Sequence, residues 1–162
     1  MKIYFAGSIR AGRQDHHIYV ELITFLKKYG QILTEHLGDP NLSNKCEDLS
    51  EEFIHDRDMN WVFESNILIA EVTTPSLGVG YEIGRAIEHN IPVICLYKKS
   101  DKKLSGMLVG SKQVQVIEYN NLEQAKQKLL IFLEKLTILS ATLKLLPILI
   151  YHQPFSIPFY HT

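Results

Sequence analysis

The stretch Thr73-Thr74-Pro75-Ser76-Leu77-Gly78-Val79-Gly80-Tyr81-Glu82-Ile83-Gly84 decides the fold, because it joins two segments of opposite character. It follows an apolar run at residues 67–72, typical of a buried strand, and leads into a helical pattern. Pro75, Gly78 and Gly80 predict a tight loop between the two. Backbone N–H groups at a helix N-terminus attract anions. We therefore predict a ligand site here, with Glu82 at or near the first helical turn, at the sheet edge where α/β proteins bind ligands.

The glycines of this stretch do not match the dinucleotide-binding fingerprint. Their spacing, G-x-G-x-x-x-G, places Gly84 one residue late, and the stretch follows a middle strand rather than the first. A carboxylate at position 82 would also repel a pyrophosphate, so an NAD-type cofactor is disfavoured. For this stretch alone, the other interpretation is a plain strand-to-helix turn in which Glu82 stabilises the helix dipole.

Strand and helix patterns alternate along the chain up to about residue 136. The predicted strands are residues 2–6, 31–36, 67–72, 92–97 and 114–119, and the predicted helices are about 15–29, 50–65, 83–90 and 121–136. This alternation predicts an α/β fold, a Rossmann-like (flavodoxin-like) five-stranded parallel sheet with helices on both faces. We predict one domain over residues 1–136, followed by an apolar C-terminal extension, 137–162, of unknown role.

Composition excludes several classes of partner. The chain has 162 residues and a formal net charge of −1, so nothing draws it to nucleic acid polymers or anionic membranes. Cys95 lies in an apolar strand pattern, which indicates a buried thiol and a reducing compartment. The apolar run at residues 145–151 is too short to span a bilayer and contains Pro147. With no signal-peptide pattern, we expect a cytoplasmic protein, or a nuclear one in a eukaryote.

The loop after the first strand is a second candidate anion site. Its glycines allow close backbone approach, Ser8 offers a hydroxyl, and Arg10 and Arg13 offer planar donor groups suited to a monophosphate. The alternative is a surface turn with two solvated arginines. The loop reads Gly7-Ser8-Ile9-Arg10-Ala11-Gly12-Arg13.

Four carboxylates, those of Asp56, Asp58, Glu71 and Glu82, are placed near strand ends by the pattern. Cleavage of a glycosidic bond needs a nucleophile or base and an acid on opposite sides of the reacting carbon. Asp56 and Asp58 project about 200° apart on a helix, so only one of them should face a pocket.

Two further side chains, those of Tyr4 and His36, sit at predicted strands near this edge. A tyrosine at position 4 is more often a core residue, but it could also orient a carboxylate. A lone histidine such as His36 is more often structural than catalytic. No histidine or cysteine spacing suggests a metal site.

Taken together, these stretches resemble the 2'-deoxynucleoside 5'-phosphate N-hydrolases of the nucleoside 2-deoxyribosyltransferase superfamily. The resemblance covers roughly residues 1–136, and the matching stretches occur in family order. They are Tyr4-Phe5-Ala6-Gly7-Ser8-Ile9-Arg10-Ala11-Gly12-Arg13, Leu33-Thr34-Glu35-His36, Ile54-His55-Asp56-Arg57-Asp58 with Trp61, residues 70–86, and Leu104-Ser105-Gly106-Met107. The family usually has glycine where Ala11 stands, and no counterpart of residues 137–162 is recognised.

The resemblance implies a hydrolase that releases the free base and 2-deoxyribose 5-phosphate from a 2'-deoxynucleoside 5'-monophosphate, with no metal or other cofactor. It implies that Glu82 is the nucleophile that attacks C1', that Asp58 is the acid that protonates the departing base and then activates water, and that Tyr4 orients Glu82. A dry site should raise the pKa of Asp58.

The resemblance also implies the substrate contacts. His36 would lie beside the base, and a segment of a neighbouring subunit would reach the phosphate, so a homodimer is implied. The substrate-binding residues would be Gly7, Ser8, Ile9, Arg10, Ala11, Gly12, Arg13, His36, Ser76, Gly78 and Gly80, with Ser105, Gly106 and Met107 from the neighbouring subunit.

Two other functions fit parts of the pattern. A nucleoside 2-deoxyribosyltransferase would use the same Glu82 but pass the sugar to a second base; the predicted phosphate site argues against it, because the transferases of this superfamily take unphosphorylated nucleosides. A non-catalytic nucleotide-binding module would keep the glycine-rich loops but hold Glu82 and Asp58 far apart.

Overall fold

Five parallel strands form one sheet in the computed structural model, which describes residues 1–8, 16–39, 49–100 and 103–151, with side chains described as far as residue 138. The strands are β1 (Lys2–Ala6), β2 (Gln31–Ile32), β3 (Ile67–Glu71), β4 (Val93–Lys98) and β5 (Val114–Tyr119). The helices are α1 (His16–Leu26), α2 (Glu51–Glu64), α3 (Leu77–Glu88), α4 (Gly106–Val109) and α5 (Leu122–Tyr151), with a 3-10 turn at Glu35–Gly38.

The order of the strands is β2-β1-β3-β4-β5, and every pair is parallel. The central strand β3 is buried along its whole length between β1 and β4, as its continuous apolar run requires. This order changes direction between β1 and β3, where doubly wound sheets open a crevice at the carboxyl ends of their strands. The predicted α/β fold is therefore confirmed, and the predicted burial of Cys95 in β4 is confirmed as well.

One apolar cluster joins α2 and α3 to the strands β1, β3 and β4. Met59 and Val62 from α2 lie in it together with Val79 and Ile83 from α3. Tyr4 from β1 belongs to the same cluster. Because the apolar residues of α2 and α3 recur at helical spacing, each helix turns one apolar face toward the sheet. The polar residues next to them on α2 and α3 are thereby brought to the same edge of the sheet.

The second strand is shorter than predicted. It ends at Ile32, and residues 35–38 form the 3-10 turn instead of extending the strand. The side chain of Thr34 explains this end: its hydroxyl donates to the carbonyl of Phe5 at 2.7 Å and accepts from the N–H of Phe5 at 3.1 Å. The buried Thr34 hydroxyl thus takes the place of the β2 backbone as the hydrogen-bond partner of Phe5. The backbone after Ile32 therefore need not stay extended, and it turns at residues 35–38.

Helix α3 begins earlier than predicted, at Leu77 rather than after the glycines. Ser76 caps it, since the Ser76 side chain accepts from the N–H of Val79 at 3.5 Å. Gly78 and Gly80 therefore lie inside the helix, and Glu82 lies in its second turn rather than its first. Glycine disfavours a helix by only about 1 kcal/mol, which a cap and a buried apolar face offset.

The last helix is longer than predicted and runs to Tyr151, past residue 136. No glycine interrupts residues 122–151, so nothing in the sequence ends the helix at 136. By its contacts the chain divides into two units, residues 1–128 and 129–162. The described part of the second unit is helical to residue 151; within it the Lys135 ammonium lies 5.7 Å from the ring centre of Phe132.

Candidate active site

Tyr4 and Glu82 meet at the carboxyl edge of the sheet. Tyr4 lies on β1 and is 2% exposed, whereas Glu82 projects from α3 and is partly buried. The Tyr4 hydroxyl donates a hydrogen bond to the Glu82 carboxylate. Burial and the nearby charge of Glu82 hold the pKa of Tyr4 well above its ordinary value, so the hydroxyl keeps its proton and remains a donor.

Glu82 is a carboxyl group whose ionisation is shifted by its surroundings. Burial raises its pKa to about 8, the hydrogen bond from Tyr4 opposes that rise, and the negative charge of Asp58 adds to it. Carboxyl groups with so large a shift occur mainly where a protein uses them for chemistry. Once ionised, this carboxylate is poorly solvated and therefore reactive toward an electron-poor carbon.

Asp58 is the third member of this group. It projects from α2 with 19% of its side chain exposed, and its charge acts on both Tyr4 and Glu82. Asp56, two residues earlier, has 67% of its side chain exposed and accepts a hydrogen bond from His55 at 2.9 Å. The two aspartates therefore point in different directions, as helical geometry predicts, and Asp58 is the more buried of the two.

Arg57 and Trp61 surround Asp58 in a way that the sequence reasoning missed. The Nε and Nη2 atoms of Arg57 both donate to Oδ1 of Asp58 at 2.9 Å. Neighbouring residues on a helix do not normally face each other, but Trp61, one turn further on, supports the guanidinium at 4.6 Å from its ring centre. The i, i+4 spacing of an arginine and a tryptophan was the signal that could have revealed this contact.

His36 reaches the same side of the site from the 3-10 turn. Its ring centre lies 5.7 Å from that of Trp61, at an angle of 43°. The structure thus brings His36 next to the α2 residues that surround Asp58. His36 does not end a strand, as predicted, because β2 stops four residues earlier at Ile32.

A polar contact between two exposed side chains also links α2 to α3. Nε2 of His55 lies 3.2 Å from the hydroxyl of Tyr81, with the ring centres 5.8 Å apart. His55 precedes Asp58 by three residues, and Tyr81 directly precedes Glu82. The contact therefore joins the two helices close to the points from which the carboxylates project.

The predicted phosphate-binding loop is described only at its start. Ser8 is 1% exposed, and its hydroxyl oxygen has no hydrogen-bond partner among the described residues. Gly7 is also described and lies directly after β1. The remaining predicted contacts of this loop, at Ile9, Arg10, Ala11, Gly12 and Arg13, lie outside the described residues.

The other predicted substrate contacts lie on α3 and α4. A side chain added at Gly80 would meet no atom within 4 Å, so a ligand could approach the helix backbone there. Gly78 is similarly open, its nearest neighbour being the Ser76 hydroxyl at 3.8 Å. Ser105 caps the short helix α4, and Met107 is 85% exposed.

Glu71, the fourth carboxylate, has a structural environment. It is fully buried at the end of β3, where its Oε1 atom accepts from the Tyr119 hydroxyl at 3.0 Å and from the Thr73 hydroxyl. The Thr73 hydroxyl also accepts from the backbone N–H of Lys98 at 2.8 Å. These contacts link the ends of β3, β4 and β5, which gives Glu71 a role in holding the sheet edge.

Removing the Tyr119 hydroxyl should destabilise the protein without altering its chemistry. Tyr119→Phe keeps the ring but takes a donor from a buried carboxylate, a loss of about 1–3 kcal/mol in the free energy of unfolding. Urea denaturation of the variant and the wild type would measure it. An unchanged midpoint would show that the Tyr119 hydrogen bond makes no net contribution to stability.

Removing the Tyr4 hydroxyl should change the pH dependence of activity. Its hydrogen bond lowers the pKa of Glu82, so Tyr4→Phe should raise that pKa further above about 8. The acidic limb of the kcat/KM profile should then move to higher pH, and the rate near neutrality should fall about tenfold. Rate profiles from pH 6 to 10 test this; a uniform loss with no displacement of the limb would contradict it.

Two features are absent from the part of the chain that the structure describes. No group of three or more histidine, cysteine, aspartate or glutamate side chains in the described part of the chain could hold a metal ion. None of the helices, over the residues described, combines the length and apolar character needed to cross a membrane.

The fold and this group of side chains define an α/β enzyme with paired carboxylates at the crevice of a parallel sheet. The chain also matches the profile of the nucleoside 2-deoxyribosyltransferase family over residues 3–129. It belongs to that family.

The chain is also similar to two curated proteins and to one solved structure. A protein of Nematostella vectensis with the provisional name 2'-deoxynucleoside 5'-phosphate N-hydrolase 1 is 51% identical over 116 residues, 68% of this chain and 77% of that protein. The 5-hydroxymethyl-dUMP N-hydrolase of Esox lucius is 50% identical over 115 residues, 68% of this chain and 79% of that protein. The solved structure of Clostridium botulinum CMP N-glycosidase shares the fold, with a TM-score of 0.61, 22% identity, and coverage of 82% of this chain and 99% of that one.

Proposed function

We propose that this protein hydrolyses the N-glycosidic bond of 2'-deoxynucleoside 5'-monophosphates. The observation that carries the proposal is the group formed by Tyr4, Glu82 and Asp58, in which two carboxylates interact and a tyrosine hydroxyl binds one of them. Glycosidases that retain configuration use one carboxylate as nucleophile and another carboxyl group as acid and then base. The names of the similar N-hydrolases support the same chemistry.

The proposed reaction has two steps. In the first, the Glu82 carboxylate attacks C1' and forms an ester to the sugar, while the C1'–N bond breaks and Asp58 gives its proton to the departing base. In the second, Asp58 takes a proton from water, and the resulting hydroxide attacks C1' and releases Glu82. The products are the free base and 2-deoxyribose 5-phosphate. Lack of a 2'-hydroxyl eases formation of positive charge at C1', which suits capture by a carboxylate.

Three predicted features of binding belong to this proposal. The loop at residues 7–13, together with Ser76, Gly78 and Gly80, holds the 5'-phosphate, and His36 contacts the base. The protein acts as a homodimer in which Ser105, Gly106 and Met107 of one subunit complete the site of the other. The exposure of Met107, an apolar side chain beside the α4 cap, supports the predicted homodimer.

We place the enzyme in the cytoplasm, or also in the nucleus in a eukaryote. Residues 1–136 form the proposed catalytic domain, and residues 137–162 are an extension.

A 2-deoxyribosyltransferase is the second candidate, because the family to which the chain belongs takes its name from that activity. Both enzymes would form the same ester on Glu82, and they differ in what accepts the sugar. The buried hydroxyl of Ser8, which has no described partner, favours a substrate that carries a phosphate.

One experiment separates the candidates. The purified protein is incubated with paired 2'-deoxy and ribo substrates, each as nucleoside and as 5'-monophosphate, with and without a second free base. Release of base from deoxynucleoside monophosphates, unaffected by the added base, is expected. A new nucleoside that contains the added base would instead establish the transferase. No base release from any deoxynucleoside monophosphate would refute the hydrolase.

A further inference from the structure

The hydroxyl of Tyr19 on α1 lies beneath the start of the proposed phosphate-binding loop. We infer that Tyr19 is a positioning residue for the 5'-phosphate: it fixes the backbone at Gly7 and Ser8 so that the Ser8 hydroxyl faces the phosphate. The inference rests on the proposed function, since it assigns Tyr19 to the phosphate end of that substrate. Tyr19 itself is 2% exposed and packs against Phe5 of β1.

A buried hydrogen bond links Tyr19 to the start of the loop. The backbone N–H of Ser8 donates to the Tyr19 hydroxyl at 3.0 Å. Ser8 follows β1 by two residues, so its N–H has left the strand ladder and needs another acceptor. In many phosphate-binding loops such N–H groups turn toward the ligand, but here this one is turned inward. The direction of the Ser8 backbone is therefore determined by the tyrosine.

The ring of Tyr19 constrains the preceding residue in a second way. A Cβ atom added at Gly7 would lie 2.9 Å from both Cε2 and Cζ of Tyr19, closer than a side chain can tolerate. The ring is itself held in place by the edge of Phe5, with ring centres 5.8 Å apart at 66°. Only glycine therefore lets the chain pass over the Tyr19 ring after β1 ends. The hydrogen bond at Ser8 and the close approach of the ring at Gly7 together restrict the backbone of these two residues.

The Ser8 side chain supplies the independent observation that points to a ligand. Its hydroxyl oxygen is buried and has no partner among the described residues, although nearly all buried hydroxyl groups in proteins are paired. Such a group is unfavourable unless something else supplies a partner. A phosphate oxygen is an acceptor that this hydroxyl would satisfy, so Tyr19 and Gly7 hold an unpaired donor ready for it.

Tyr19→Phe tests the inference, because it preserves the ring and removes the hydroxyl that accepts from the Ser8 N–H. Four constants are measured: KM and kcat for a 2'-deoxynucleoside monophosphate, and the inhibition constants of inorganic phosphate and of the matching 2'-deoxynucleoside. We expect KM and the inhibition constant of inorganic phosphate to rise about tenfold, which is the loss typical of one buried hydrogen bond. The kcat value and the inhibition constant of the 2'-deoxynucleoside should change by less than about twofold. Tyr29→Phe is the matched control, since Tyr29 lies just beyond the same helix and its ring contacts Phe25.

Gly7→Ala also disturbs the contact between Gly7 and the Tyr19 ring, and it should raise KM and the inhibition constant of inorganic phosphate. This second variant serves as the test if Tyr19→Phe folds poorly, which thermal denaturation would reveal. Parallel changes in all four constants, or no change in any, would overturn the inference.

Failure of the proposed function would look different from failure of this inference. If the wild type released no base but bound inorganic phosphate in calorimetry, and Tyr19→Phe weakened that binding about tenfold, the hydrolase would be refuted and the role of Tyr19 would stand. If the wild type released base but its phosphate affinity did not depend on Tyr19, only the inference would be refuted.

Discussion

Glu82→Gln should abolish base release from 2'-deoxynucleoside 5'-monophosphates, with kcat falling by at least about a thousandfold. The amide has nearly the same shape as the carboxylate but cannot attack C1'. The neighbouring Tyr4 hydroxyl can still donate to the amide oxygen, so the site should keep its geometry and its affinity for substrate. Single-turnover rates, together with substrate binding measured by calorimetry, would separate lost chemistry from lost binding. Retention of even a tenth of the wild-type rate would remove Glu82 from the nucleophile role.

Glu88→Gln is the matched control for Glu82→Gln. Glu88 lies on the same helix, but its carboxylate is exposed and pairs with Arg85, so its loss should leave the rate unchanged. Mass spectrometry of the wild type, quenched with acid during turnover, should reveal a 2-deoxyribose 5-phosphate adduct that is absent from Glu82→Gln.

The stability of Glu82→Gln should also differ from that of the wild type, in a way that depends on pH. The pKa of Glu82 is about 8 in the folded protein and near its ordinary 4.5 when unfolded, so between these values the folded state binds the extra proton. Stability of the wild type is therefore lost as pH rises through this window. Glutamine does not ionise, so the Tm of the variant should exceed that of the wild type by a few degrees near pH 9 and by almost nothing near pH 4. A constant difference across pH would contradict the shifted pKa.

Asp58→Asn should lower kcat by about 10²–10⁴-fold for natural bases, because it removes the proposed acid that protonates the departing base. The loss should depend on the leaving group. A 2-deoxyribosyl 5-phosphate with 4-nitrophenolate as leaving group needs little protonation, so the first step should be nearly as fast in Asp58→Asn as in the wild type. The burst of 4-nitrophenolate, followed by slow turnover, would report formation and slow hydrolysis of the ester.

Asp56→Asn is the control for Asp58→Asn. It makes the same chemical change on the same helix at a carboxylate that faces solvent, and it should leave kcat within about twofold of the wild type. Equal losses from the two variants would indicate damage to α2 rather than removal of an acid. A loss in Asp58→Asn that is the same for every leaving group would contradict the role of Asp58 as acid.

The sequence predicted the elements that depend on local pattern. The alternation of apolar runs and amphipathic segments gave the parallel sheet, and the helix at residues 51–64 begins after its predicted cap, with Ser50 accepting from the N–H of Phe53 at 3.2 Å. Helical geometry alone predicted that Asp56 and Asp58 would diverge. The predicted start of α3 was wrong. Gly78 and Gly80 suggested a loop, but the Ser76 cap and the buried apolar face of the segment favour a helix there.

By itself, then, the sequence determined the order of strands and helices, the family, and which residue types were available for the chemistry. Only the tertiary structure decided which of them meet: that Glu82 accepts from Tyr4 and feels the charge of Asp58, that Arg57 reaches Asp58 across Trp61, and that Glu71 is bound by Tyr119 instead. The physical reason is that hydrophobic periodicity is a local property of the chain. Burial, charge coupling and hydrogen bonds between distant residues arise only when α2, α3 and β1 pack together, and these interactions set the pKa of Glu82.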